Sequence, residues 1–187
     1  AEIDEAIDRV IAGPEKKSRA ISEKEKRTIA YHEAGHAIAG YYLDHAKVVH
    51  KVTIVPRGQA GGYVMMLPKE DRFLLTKSEL LDQVTGLLAG RVAEEIVFGE
   101  VSTGAHNDFE QATNLVRRMI TEFGMSERLG PMQFGRSQGH VFLGRDLGHE
   151  QNYSDAIAHE IDKEMQRVIR DCYDRARKIL TERRDQL

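Results

Sequence analysis

The sequence predicts a mainly α-helical fold with one small β-hairpin. Apolar residues recur at spacings of three and four along most of the 187-residue chain, which is the pattern of amphipathic helices. Two stretches, Ser22-Glu23-Lys24-Glu25 and Thr76-Lys77-Ser78-Glu79, have the form of a capping box that begins a helix. β-branched residues concentrate in a third region, between residues 50 and 67, which favours a pair of strands.

The elements can be placed in order from apolar spacing, caps and breakers. Gly13-Pro14 ends a first helix, Gly99 is a natural stop for a later one, and residues 124–152 are glycine-rich and poor in periodicity. The predicted elements are a helix over 1–12, a charged linker, a helix over 22–43, strands over 50–55 and 63–67, and helices over 76–98, 107–123 and 153–184. We expect residues 107–110 to cap the helix over 107–123, and residues 124–152 to form a long loop.

The composition limits the function classes that need to be considered. With 41% hydrophobic and 30% charged residues, the chain has the composition of a globular protein. Its net charge of −3 argues against a nucleic-acid partner, because phosphate-binding surfaces are strongly basic. A single cysteine, Cys172, excludes an intramolecular disulfide, and its place on an apolar helical stripe predicts a buried thiol. No apolar run reaches the length of about 20 residues that spans a bilayer.

The most specific motif is His32-Glu33-Ala34-Gly35-His36, inside the helix predicted over 22–43. Two imidazoles four residues apart share one helix face, with Cβ atoms about 5–6 Å apart. Both rings can therefore reach one tetrahedral Zn²⁺ at roughly 2.0–2.1 Å. Glu33 then lies beside the metal, where a carboxylate can take a proton from a zinc-activated water. This arrangement is typical of a zinc peptidase.

Gly35 needs an explanation, because a glycine inside a helix costs about 1 kcal/mol relative to alanine. Close approach of substrate or backbone would explain it, and so would helix–helix packing. The sequence does not separate these two reasons.

A catalytic zinc needs three protein ligands and an open position, and the residues alone leave the third one undecided. One class of zinc peptidase places a third histidine where this chain has Tyr42, so that class is excluded. Glu94 and Glu95, on a later helix, are candidates, and so is Asp108 at the start of the next helix. An acidic residue in a first helical turn is also favoured by the helix dipole. His106, two residues from Asp108, is a further possible ligand.

A series of motifs in a fixed order accompanies the His32–His36 pattern, at residues 7–18, 52–58, 93–95, 102–108, 111–113 and 124–126. Through them, nearly the whole chain resembles the peptidase module of the FtsH family, the membrane-anchored, ATP-dependent AAA zinc proteases of peptidase family M41. The resemblance implies that Asp108 is the third zinc ligand. Glu95, in preference to Glu94, then becomes the carboxylate that orients a ligating imidazole.

The resemblance also bears on substrate binding. The free edge of the hairpin can pair with an extended peptide by strand addition, which makes Gly62, Tyr63 and Val64 candidates for the substrate-side strand. A simple brace on the helical core is the other interpretation of this hairpin. Family members usually carry Leu-Gly where this chain has Gly61-Gly62, and we expect this difference to loosen the edge.

The resemblance implies a helical zinc-peptidase domain over residues 22–187, with one Zn²⁺ per chain on the helix that carries the His32–His36 motif. Residues 1–13 are then the trailing helix of a preceding AAA ATPase module, and 14–21 are a linker. The chain has no GxxxxGK[ST] loop, so ATP would act only through that absent module.

The implied activity is zinc-dependent endopeptidase action within an ATP-dependent, processive protease of membrane and soluble proteins. The implied assembly is a homohexamer on the cytoplasmic side of the inner membrane. It would be attached to the membrane only through N-terminal segments outside this chain, and we expect the fragment itself to be soluble. The alternative is a non-catalytic helical oligomerisation module with an incidental or structural metal site. The intact Glu33 argues against it, and so does an open coordination position, because structural zinc sites usually have four protein ligands.

Overall fold

The computed structural model describes residues 2–15, 21–45, 48–57, 61–67, 73–135 and 152–187. In these ranges the elements are α1 (Glu2–Ala12), α2 (Glu23–Tyr42), β1 (Val48–Thr53), β2 (Tyr63–Leu67), α3 (Lys77–Phe98), α4 (His106–Thr121) and α5 (Asp155–Glu182). A 3-10 turn, Thr103–Ala105, leads directly into α4. The predicted fold, mainly helical with one hairpin, is confirmed. Within the described ranges, none of the helices combines the length and apolar character needed to cross a bilayer.

Both predicted capping boxes are present, and they fix where α2 and α3 begin. The Ser22 hydroxyl accepts a hydrogen bond from the Glu25 amide at 3.2 Å, and the Glu25 carboxylate accepts one from the Ser22 amide at 3.1 Å. Thr76 and Glu79 repeat the arrangement at the start of α3. α3 ends at Phe98 and is capped by Gly99, whose φ of 65° lies in the left-handed region that favours glycine.

α3 is the central helix, and α2, α4 and α5 pack against it. The larger apolar cluster lies between α3, α4 and α5 and consists of Val84, Leu88, Ala112, Val116, Ile120, Phe134, Ile161, Met165, Val168 and Cys172. A smaller cluster between α2, α3 and α5 consists of Ala39, Ala89, Val92, Ala93, Ala176 and Leu180. Cys172 is only 4% exposed, which confirms the predicted buried thiol. The small residues of the second cluster allow α2 to lie close to α3.

The hairpin is antiparallel, with Val48 opposite Leu67 and Thr53 opposite Tyr63. A register irregularity lies between Val49 and Lys51, which is the signature of a β-bulge. The prediction of a first strand over 50–55 is therefore wrong at both ends. Its β-branched residues continue to residue 55, but pairing stops at Thr53 because the partner strand begins at Tyr63.

Two further expectations differ from the structure or fall outside it. The cap predicted at residues 107–110 is wrong, because α4 begins at His106 and no side chain caps it. The preceding 3-10 turn supplies its first turn instead, and Ser102 caps that turn. Of the predicted loop, residues 124–135 contain no helix or strand. Residues 136–151, the linker residues 16–20 and the hairpin-turn residues 58–60 lie outside the described ranges.

α1 has two different faces. Its charged residues Glu5 and Asp8 contact side chains of the hairpin and of the segment that follows β1. Its apolar residues Ile3, Ile7 and Val10 are 77%, 41% and 86% exposed. The helix is therefore attached to the hairpin by its polar side, and its apolar side is open.

Candidate metal centre

His32 and His36 lie on one face of α2, and the first turn of α4 brings Asp108 to them. The two Nε2 atoms are 3.0 Å apart. Asp108 Oδ2 is 3.1 Å from His32 Nε2 and 3.5 Å from His36 Nε2. Among the described residues these three form the one group of ligand-type side chains whose donor atoms converge closely enough to hold a metal ion. His106 is exposed and is not part of this group.

The opposite nitrogen of each imidazole is held by an acceptor on α3. His36 Nδ1 donates to the carbonyl oxygen of Gly86 at 2.8 Å, and His32 Nδ1 lies 2.7 Å from Glu94 Oε1. Because a carbonyl and a carboxylate accept hydrogen bonds, both Nδ1 atoms carry the proton of the neutral imidazole. Each Nε2 then presents a lone pair toward the Asp108 carboxylate. Three acceptors that converge in this way can hold a metal ion.

The spacing of these atoms fits zinc. A tetrahedral Zn²⁺ with bonds of 2.0–2.1 Å separates its ligand atoms by about 3.3 Å, and the three observed separations are 3.0, 3.1 and 3.5 Å. Imidazole nitrogen and carboxylate oxygen are both common zinc ligands. Three protein ligands leave the fourth position of a tetrahedron open, as a catalytic site requires.

Two glycines allow the helices to approach at this site. A Cβ on Gly90 would lie 2.5 Å from His32 Nε2 and 2.6 Å from His36 Nε2. A Cβ on Gly35 would lie 2.6 Å from the Cβ of Ala93 and 2.7 Å from the carbonyl oxygen of Ala89. Helix–helix packing therefore accounts for Gly35. Sequence reasoning missed Gly90, although a glycine in mid-helix was a signal that something lies close to the backbone there.

Glu94 connects the two halves of the site. It is 1% exposed, and its Oε1 contacts His32 while its Oε2 accepts a hydrogen bond from the Ser102 amide at 2.7 Å. Arg91 donates to the Ser102 carbonyl at 2.8 Å, and its guanidinium lies 4.8 Å from the centre of the Phe109 ring. One carboxylate therefore positions both a histidine and the segment that leads to Asp108.

The preference for Glu95 as the carboxylate that orients an imidazole is corrected by the structure. Glu95 accepts hydrogen bonds from the Tyr173 hydroxyl at 2.6 Å and from Arg177 Nη2 at 2.8 Å. It therefore faces α5, and its neighbour Glu94 contacts His32. Adjacent helix residues point about 100° apart, so only one of the pair can face α2.

The two carboxyl groups of the site have different electrostatic surroundings. Burial opposes ionisation of Asp108, but the adjacent imidazole rings of His32 and His36 outweigh it and hold the pKa of Asp108 well below its usual range. Burial raises the pKa of Glu33, and the nearby His36 and His32 oppose this only in part. Asp108 is thus suited to remain a charged ligand, whereas Glu33 holds a proton more readily than an ordinary carboxylate and is suited to accept and return one.

The start of β2 lies against Glu33. A Cβ on Gly62 would lie 3.0 Å from Glu33 Cγ and 2.6 Å from the carbonyl oxygen of Thr53, and one on Gly61 would lie 2.8 Å from Ile29 Cδ1. These close approaches run against the expectation that Gly61-Gly62 loosens the edge. They bring the candidate substrate strand, Gly62 to Val64, next to the candidate base.

Comparison with known proteins gives a consistent result. Residues 19–187 match the model of peptidase family M41. The chain is 71% identical over 187 residues to the ATP-dependent zinc metalloprotease FtsH of Bacillus subtilis, covering 100% of this chain and 29% of that protein. The FtsH proteins of Alkalihalophilus pseudofirmus and Staphylococcus haemolyticus are 67% and 63% identical, over 99% and 100% of this chain and 27% and 26% of theirs.

The chain therefore spans less than a third of the length of these relatives. The match to the family model covers all of α2, the hairpin, α3, α4 and α5, and hence the whole candidate metal centre. The chain belongs to peptidase family M41.

Proposed function

We propose that this chain is the zinc-dependent endopeptidase module of an ATP-dependent, processive protease that degrades membrane and soluble proteins. The observation that carries the proposal is the convergence of three acceptor atoms, from His32, His36 and Asp108, within 3.5 Å of one another. Glu33 lies next to this group on the same helix, buried and with a raised pKa. The family of the chain supports the same function.

Each residue has a defined part in the hydrolysis of a peptide bond. His32, His36 and Asp108 hold one Zn²⁺, and Glu94 orients His32. The bound ion supplies Lewis acidity, which lowers the pKa of a water toward about 7 and polarises the scissile carbonyl. Glu33 takes the proton of the attacking water and later gives it to the leaving amine. The edge of β2 at Gly62 to Val64 holds the substrate as an added strand.

The wider protein is part of the proposal. Residues 1–13 are the end of an ATPase module, residues 14–21 are a linker, and residues 22–187 are the peptidase domain. The relatives are ATP-dependent zinc metalloproteases by name and are more than three times as long as this chain, which supports this division. The whole protein forms a homohexamer on the cytoplasmic side of the inner membrane and is anchored by segments outside this chain.

The test uses Glu33→Gln and Asp108→Ala in the zinc-loaded protein, with unfolded casein as substrate. Loss of a general base costs about 10²–10⁴-fold in rate, so Glu33→Gln should keep a full equivalent of zinc and lose cleavage. Asp108→Ala should lose zinc itself. Asp162→Asn, at an exposed position on α5, is the control and should change neither zinc content nor cleavage.

Two results would contradict the proposal. If Asp108→Ala kept its zinc and Glu95→Ala did not, the ligand assignment would be wrong. If wild-type protein with bound zinc showed no chelator-sensitive cleavage, the non-catalytic oligomerisation module would be the better interpretation.

A further inference from the structure

A cluster of charged residues joins α1 to the hairpin. Asp8 Oδ2 accepts from Lys51 Nζ at 2.5 Å, and Asp8 Oδ1 accepts from the Tyr63 hydroxyl at 2.5 Å. Arg57 donates to both carboxylate oxygens of Glu5, at 3.2 and 2.7 Å, and its Nη2 lies 3.6 Å from Asp8. Two carboxylates and two cations thus balance, with one neutral hydroxyl added.

The centre of this cluster is removed from water. Asp8 is 4% exposed and Arg57 is 5% exposed. A buried charge is strongly unfavourable unless it is paired and hydrogen-bonded, so each of these side chains depends on its partners. Hydrogen bonds from Lys51 and Tyr63 hold the pKa of Asp8 below its ordinary value, and the carboxylate therefore stays ionised.

Tyr63 extends the cluster to the candidate catalytic residue. It is the first residue of β2, opposite Thr53. The preceding residue, Gly62, packs against Glu33 Cγ and the Thr53 carbonyl. The start of β2 is therefore held on one side by Asp8 and on the other by the helix that carries Glu33. A hairpin of two strands is marginally stable by itself, so such anchors decide how well its edge is ordered.

We propose that Asp8 is a positioning residue for peptide binding: through the Tyr63 hydroxyl it holds the start of β2 in the place where an extended substrate adds as a strand beside Glu33. The proposal rests on the proposed peptidase function. Asp8 lies outside the part of the chain that the family model matches, which begins at residue 19. Preordering of the edge improves affinity because the substrate does not have to order it on binding.

The mildest test is Tyr63→Phe, which removes only the hydroxyl. In the zinc-loaded protein with unfolded casein, we expect the KM to rise about tenfold with the kcat changed less than about twofold, because binding rather than chemistry is affected. Zinc content should not change. Asp8→Asn should likewise raise the KM and leave the kcat nearly unchanged. Tyr41→Phe, whose residue is 65% exposed on α2, is the matched loss of a tyrosine hydroxyl and should leave both constants unchanged.

The double variant separates positioning from direct contact with substrate. If the Tyr63 hydroxyl acts through Asp8, Asp8→Asn combined with Tyr63→Phe should raise KM no more than Asp8→Asn alone. Additive effects would mean that the hydroxyl touches substrate itself, and they would overturn the proposal. An unchanged KM in Tyr63→Phe would also overturn it.

A binding measurement makes the test independent of turnover. The affinity of zinc-loaded Glu33→Gln protein for unfolded casein should fall about tenfold when Tyr63→Phe is added, since one hydrogen bond to a charged group is lost. Equal affinity with and without Tyr63→Phe would reject the role of Asp8, whether or not the wild-type protein cleaves. Absence of wild-type cleavage together with a lowered affinity would reject the proposed catalysis and retain the positioning role.

Discussion

The metal side and the hairpin side of the site are held together by different kinds of interaction. On the metal side, α2 and α3 are in close contact at Gly35 and Gly90, where a single added carbon would lie within 2.7 Å of a neighbouring atom. On the hairpin side, β2 is held by the ionic cluster of α1, with Asp8 at its centre. The first is set by backbone packing and the second by side chains from distant parts of the chain.

This difference predicts how each side responds to change. Close-packed interiors cannot absorb an extra methyl group without strain. One added methyl group on the metal side should therefore be enough to cause a large loss of zinc affinity. Ion pairs whose members are partly exposed to solvent weaken gradually as the salt concentration rises. The hairpin side should respond in this way because the side chains of Lys51 and Glu5 are 36% and 46% exposed.

The largest effect should come from Gly90→Ala. Its Cβ would lie 2.5 Å from His32 Nε2, in the space where both ring nitrogens face Asp108. We expect zinc affinity to fall by at least about 100-fold, because the ligand atoms cannot keep their spacing. Competition with a calibrated chelator measures this.

Gly86→Ala is the matched control, one helical turn earlier on α3. Its carbonyl oxygen, which accepts a hydrogen bond from His36 Nδ1, is a main-chain atom that the substitution keeps. Among the described residues beyond its own stretch of α3, its Cβ would approach only Leu43 Cδ1, at 4.0 Å. Zinc affinity should be unchanged, and the helix should gain up to about 1 kcal/mol of stability, since alanine is the better helix former. Equal zinc affinities for the Gly90 and Gly86 variants would show that close packing does not define the metal side.

An intermediate effect is expected when Glu94 and Glu95 are changed separately. Glu94→Gln weakens the hold on His32 and on the Ser102 amide, so zinc affinity should fall about 10- to 100-fold, as is usual for residues that orient a ligand. Glu95→Gln should leave zinc affinity unchanged, because Glu95 contacts Tyr173 and Arg177 instead. A larger loss of zinc affinity in Glu95→Gln than in Glu94→Gln would contradict the observed contacts of the two carboxylates.

The smallest effect is the response to salt. The Debye length falls from about 8 Å at 0.15 M to about 3 Å at 1 M, so the half-exposed ion pairs of the α1 cluster should weaken. Amide hydrogen exchange in β2 should then become about threefold faster, with little change in the centre of α3. Equal acceleration in both elements would mean that the two sides are not held differently.

The helices could be predicted closely because their signals are local. The capping boxes at Ser22 and Thr76 and the stop at Gly99 place the start of α2 and both ends of α3 within one residue of the structure. The spacing of His32 and His36 likewise requires only one helix. Such features depend on residues within one or two turns, which a sequence displays directly.

The remaining features depend on how distant elements meet. Nothing near Glu94 or Glu95 indicates which carboxylate faces α2, since this depends on the rotation of α3. The end of β1 at Thr53 is set by where β2 begins, not by the β-branched run that continues to Val55. Periodicity also overlooked the face of α3 built from Ala89, Gly90 and Ala93, because small residues carry little apolar signal.

The two faces of α1 have a mechanical consequence. Its apolar residues Ile3 and Val10 are exposed. Its polar side is linked through Asp8 and Tyr63 to Gly62, where an added Cβ would lie 3.0 Å from Glu33 Cγ. A shift or rotation of α1 would therefore be passed through these contacts to the start of β2 and would change the distance between this strand and the Glu33 carboxylate.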